Sequence, residues 1–200
     1  SAGGLGSSNS VVANTFNDYT ANAISATFQE QLLVEGNLIR NYVGATNAGA
    51  GILLNGLTNA NVSANRIGGF LGRSGIEANN MNIGALSELN IIANNEISGR
   101  TQTANGATGI TRGIWLTGNT ANGRDGIALL HNTVSFVPLG TNTAATQALL
   151  VVEGGTGATQ PFDSLVILNN IFAEGIATSQ SPANFGLVVF SNAATADSAV

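Results

Sequence analysis

One six-residue phrase returns six times along the chain: VVANTF, VEGNLI, VSANRI, IANNEI, LLHNTV and ILNNIF. In each, an asparagine stands three residues after one apolar residue and two before another. These asparagines are Asn14, Asn37, Asn65, Asn95, Asn132 and Asn170, separated by 23, 28, 30, 37 and 38 residues. A phrase of fixed form at lengthening intervals predicts a solenoid in which every coil keeps the same core while insertions grow toward the C-terminus. Identical side chains at one point of every coil then stack into a ladder.

A second recurring phrase places alternate apolar residues inward, as a short strand does. Its first inward positions read as Ile24, Ile52, Ile76, Ile114, Leu149 and Leu187, followed two residues on by Ala26, Leu54, Ala78, Leu116, Val151 and Val189. Glycine precedes several of them, at Gly51, Gly75, Gly113 and Gly186. The residues between, Ser25, Leu53, Glu77, Trp115, Leu150 and Val188, are then outward, and four of the six are apolar. An outward apolar column marks an interface or a face covered by the insertions. Asparagine suits the corner of each coil because it tolerates left-handed backbone and its amide both donates and accepts. Strands about 4.8 Å apart make six to seven coils a rod on the order of 30 Å long.

Composition narrows the function classes. Only 8% of the 200 residues are charged, against about 25% in an average soluble domain, and the net charge is -5. The six basic residues are all arginine and are scattered, at positions 40, 66, 73, 100, 112 and 124. No basic footprint for a nucleic-acid backbone is present, and no apolar run reaches the roughly 18 residues that a membrane-spanning helix needs. With no cysteine there is neither a disulfide framework nor a thiolate metal site.

The repeats GILLNGLTNANVSANRIGG, residues 51–69, and GIALLHNTVSF, residues 126–136, resemble the right-handed parallel β-helix repeat of the pectin-lyase-like superfamily. The resemblance covers nearly the whole chain and implies an all-β, right-handed parallel β-helix with loop insertions. It implies no single activity, because the superfamily includes polysaccharide lyases, glycoside hydrolases, epimerases, tailspikes and adhesins. The catalytic signatures of its enzymes are not met here: there is no Asp-Asp, no Gly-His-Gly, no lysine, no RxPxxR setting and no Asp-Pro-His-Glu.

Few residues remain as candidates for chemistry. The sole histidine, His131, falls in a column with Ala13, Gly36, Ala64, Asn94 and Asn169, and reads as part of a stacked polar column with Asn94 and Asn169. Asp125, Glu153 and Asp163 are too scattered for a calcium site, so no catalytic residue, metal or cofactor is expected. Candidate ligand contacts are Arg112 and Trp115, a planar donor and an aromatic face on one strand, together with Arg124 and Asp125 of the loop TGNTANGRDG.

The sequence therefore predicts a single β-helix segment over residues 1–200, belonging to a secreted or cell-surface bacterial protein. The expected role is a scaffold for adhesion, matrix or filament assembly or glycan contact, without catalysis of its own. The alternative is a polysaccharide lyase or glycoside hydrolase. Expected partners are a polysaccharide or a cell-surface molecule. SNAATADSAV stands where another asparagine phrase is due, so the ends are expected to meet flanking domains or to associate end to end.

Overall fold

A computed structural model describes residues 6–44, 46, 48–81, 89–101, 109–117, 126–136, 145–153, 165–174 and 185–190. These residues form three six-stranded parallel sheets wound into the six coils of a right-handed parallel β-helix, together with a short two-stranded parallel sheet of Gly6–Ser7 and Gln29–Glu30, with no helix among them. Sheet I holds the strands before the ladder asparagines: Ser10–Val12, Leu33–Glu35, Asn61–Ser63, Asn90–Ala93, Ile127–Leu130 and Leu165–Leu168. Sheet II follows at once, as Thr15–Tyr19, Leu38–Tyr42, Arg66–Leu71, Glu96–Thr101, Thr133–Phe136 and Ile171–Glu174. Sheet III completes each coil with Ile24–Thr27, Ala50–Asn55, Ser74–Asn79, Gly109–Thr117, Ala145–Glu153 and Phe185–Phe190.

Register follows the asparagine phrase. Val34, Val62, Ile92 and Leu129 align one above another in sheet I, and Ile39, Ile67, Ile97 and Val134 do so in sheet II. All eight are buried. Such columns form because each strand turns every second side chain inward, so one apolar phrase per coil builds a continuous core.

The corner between sheets I and II takes two residues, and the first of them adopts the left-handed conformation. It is Ala13, Gly36, Ala64, Asn94, His131 or Asn169, with φ between 54° and 64°. The left-handed residue is thus the one before the ladder asparagine, which corrects the expectation that the asparagine itself bends the chain. The asparagine instead turns its amide inward, and Asn37, Asn65, Asn95 and Asn132 are all buried. In each of these four, Oδ1 accepts both the backbone N–H and one amide N–H of the asparagine one coil below. The amide of each donates its second hydrogen to a sheet I carbonyl of the coil below: Val11, Val34, Val62 or Ile92. Every donor and acceptor of a buried rung is therefore used.

Coil five departs from the sequence reading by one residue. Ile114 lies against Leu150, not Leu149, and Leu150 lies against Leu187. Leu150 and Val152 accordingly hold the inward positions assigned to Leu149 and Val151, and Val151 replaces Leu150 in the outward column. Glycine normally marks the preceding position, and the reason is close approach. A Cβ at Gly75 would lie 2.7 Å from Ile97 Cγ2 and 2.8 Å from the Gly113 carbonyl oxygen. Coil five carries Leu149 at this point, so the marker that locates the phrase elsewhere is missing.

Candidate functional site

A polar cluster gathers around Glu77 at the start of sheet III in coil three. In coil three only Gly72 and Arg73 separate the end of the sheet II strand at Leu71 from Ser74. This tight corner sets Arg73 beside the start of the next strand. From there its guanidinium reaches Glu77, with Nε 2.6 Å from Oε2 and Nη2 2.8 Å from Oε1. Ser74 Oγ donates to Oε2 at 3.1 Å and Asn79 Nδ2 to Oε1 at 3.0 Å. Glu77 is only 2% exposed. A carboxylate so far removed from water needs these four donors, and with them both of its oxygens are fully engaged.

Trp115 stands directly above Glu77 in the sheet, as Leu53 stands below it. The Arg112 guanidinium carbon lies 3.8 Å from the Trp115 ring centroid, and that of Arg73 lies 5.6 Å away. The structure thus brings Arg112 and Trp115 together as expected, but the indole already carries a cation. Its Nε1 is buried without a hydrogen-bond partner. Val151, next in the column, is buried, and Leu53 is half-buried. The outward apolar column is therefore covered at Val151 and half-covered at Leu53 and Trp115, while the Val188 side chain lies outside the described residues. Arg124 and Asp125 lie outside the described residues, as do most of the insertions expected to cover the column.

Sequence reasoning missed Arg73, Ser74, Glu77 and Asn79 as one cluster. Its signal is weak, since an arginine four residues before a glutamate normally pairs on a helix. Here a corner makes the pair. Glu77 was visible only as the single charged residue in the outward column.

His131 shares the left-handed corner position with Asn94 and Asn169. Its φ is 54° and its side chain is exposed, as are those of Asn94 and Asn169. No group of three or more histidine, cysteine or acidic residues stands close enough to hold a metal among the described residues.

A shallow concavity also opens on the outer face of sheet II. Arg40, Arg66, Glu96 and Ser98 line it around Gly68, which contributes no side chain. Arg66 and Glu96, one rung apart, form an exposed ion pair at 2.9 Å. Nearby, Arg100 lies 4.4 Å above the Phe70 ring. Both outer faces can offer arginine donors and aromatic surface to a ligand. Among the described residues neither assembles a nucleophile with a base. No family model, no curated protein and no solved structure matches the chain.

Proposed function

We propose that this β-helix acts as a rigid scaffold of a secreted or cell-surface protein, serving adhesion, matrix or filament assembly, with glycan contact through its outer faces. The observation that carries this reading is the state of Glu77. The most buried carboxylate among the described residues is saturated by Arg73, Ser74 and Asn79, which suits a fixed structural pair and not an acid–base catalyst. The investment of buried polar groups in the asparagine ladder supports the same reading, since it stiffens the rod along its length. The coil pattern fits the pectin-lyase-like superfamily, within which scaffolds and enzymes share one architecture.

Two assays test the proposal. The purified chain should release no product from pectate, alginate or chondroitin, with or without calcium. Cleavage abolished by Glu77→Gln or Arg112→Ala would replace the scaffold with an enzyme. Glycan contact at sheet III should change the fluorescence of Trp115, the sole tryptophan of the chain. Binding that leaves Trp115 unaffected but is lost in Arg40→Ala would move the contact to sheet II.

A further inference from the structure

We infer that the concavity on the outer face of sheet II binds an acidic polysaccharide, with Arg40 and Arg66 grasping the carboxylate of a uronate unit seated over Gly68. This rests on the scaffold reading and gives its glycan contact a place and a chemical class. Strand register builds the site. In sheet II, Gly68 lies between Arg40 of the coil below and Ser98 of the coil above. The concavity around it has a volume of about 280 Å³, room for a single ring rather than a larger ligand. A Cβ at Gly68 would lie 2.9 Å from the Ser98 carbonyl oxygen, so a side chain here would both fill the gap and press on the next coil. At the rim, Gly69 has φ +77° and a Cβ there would collide with Asn41 Oδ1. Its absence admits the Asn41 amide, which lines the same concavity.

The cationic donors of this site are uncommitted. Arg40 is exposed and its side chain makes no ion pair or hydrogen bond among the described residues. Arg66 gives only its Nε to Glu96, which leaves both terminal nitrogens for a second carboxylate. On sheet III, by contrast, Arg73 is engaged twice by Glu77 and Arg112 lies on Trp115. Glu96 is the one acid lining the concavity against two arginines, a local positive excess on a chain of net charge -5. A planar guanidinium suits a carboxylate because it can grip both oxygens through parallel N–H bonds.

The fold favours a glycan over other acidic partners. Leu38–Tyr42 and Arg66–Leu71 are inner strands of sheet II, so they offer no free backbone edge to an acidic peptide. Two guanidiniums are too few for the row of phosphates in a nucleic acid. Coils repeat about every 4.8 Å, close to the length of one sugar unit, so a glycan lying along the rod meets successive coils in phase. Arg100, held over Phe70 one coil beyond Arg66, continues the cationic face.

Titration calorimetry of the full chain with oligomers of galacturonate and of mannuronate, in calcium-free buffer, tests the site. Their methyl esters and a single-stranded DNA of matched charge are the comparators. Binding should fall about tenfold in Arg40→Ala and in Arg66→Ala, each losing a charge-assisted contact. Glu96→Gln should tighten it, because the competing carboxylate is gone. Both arginines are exposed, and circular dichroism establishes that the variants are folded; Arg40→Gln and Arg66→Gln replace any that is not. Failure of both oligomers to bind would overturn the site, as would equal binding of the esters or the DNA, or weaker binding by Glu96→Gln. Binding that survives both arginine substitutions and shifts Trp115 emission would move the contact to sheet III. Any of these results without turnover sinks this site alone, whereas product released from either oligomer would sink the scaffold reading wherever the oligomer sits.

Discussion

The Arg112 guanidinium lies 3.8 Å from the centre of the Trp115 indole, so the aromatic face most available to a ligand is already occupied by a cation of the same strand. A contact of this kind is worth about 0.5 to 2 kcal/mol, depending on how far it is desolvated. Arg112→Ala should uncover the ring and shift the emission of this single tryptophan to longer wavelength. An unchanged spectrum would mean that the arginine does not shield it.

Two ion pairs, one within coil three and one bridging coils three and four, should behave differently. Arg73–Glu77 sets a side chain that is 34% exposed against one that is 2% exposed, whereas Arg66–Glu96 is open to solvent on both sides. Arg73→Ala leaves a buried carboxylate with only Ser74 and Asn79, and should cost about 2 kcal/mol, below the usual figure for a fully buried pair. Arg66→Ala should cost no more than about 0.5 kcal/mol. Denaturant midpoints of the two variants check the order.

Backbone strain at the left-handed corners can be isolated at Gly36. Its φ is +64°, and no atom lies within 4 Å of where a Cβ would stand. Gly36→Ala therefore tests conformation without a clash, and should destabilise the fold by about 1 kcal/mol. At the same corner one coil on, Ala64 has φ 54°, so Ala64→Gly should be neutral to stabilising by about 0.5 kcal/mol. Opposite signs for both would contradict the assignment of the corner.

Alkaline stability should depend on Tyr19. Burial pushes its phenol well above the ordinary tyrosine range, and the neighbouring Tyr42 raises it further. The rings meet edge to face at 5.4 Å. A phenol whose folded pKa is raised stabilises the fold fully below the unfolded value of about 10, and that contribution is lost as pH rises above it. Urea midpoints should therefore fall above about pH 10, and Tyr19→Phe should flatten this fall. An identical decline in the variant would exclude Tyr19 as its source.

How far these features could be read from sequence varies with the interaction that fixes them. The six asparagines are legible because one local phrase, with apolar residues at -3 and +2, is repeated wherever the same corner recurs. The coil-five register is not, because Leu149 stands where glycine marks the phrase in neighbouring coils. The column of His131 with Asn94 and Asn169 is legible from its place before the ladder asparagine, but not that the left-handed corner leaves these side chains exposed. The Arg73–Glu77 cluster depends on the two-residue corner at Gly72–Arg73, which no periodicity announces. The pairing of Trp115 with Arg112 was legible as strand proximity, but not that the guanidinium covers the ring.

Asn95 and Asn14 provide the most direct test that a buried ladder holds the coils together. Removing the Asn95 amide orphans the Asn65 N–H, one Asn65 amide hydrogen and the Val62 carbonyl, all within the core. At about 1 to 3 kcal/mol for each unsatisfied buried group, partly relieved by relaxation, Asn95→Ala should cost about 3 kcal/mol. Asn14 is exposed, and its side chain accepts no hydrogen bond among the described residues, so Asn14→Ala should cost less than about 1 kcal/mol. The measurement is the urea midpoint of the two variants against the unsubstituted protein, at one protein concentration. A large drop for Asn95→Ala and a small one for Asn14→Ala is the predicted result, and equal drops would contradict the ladder.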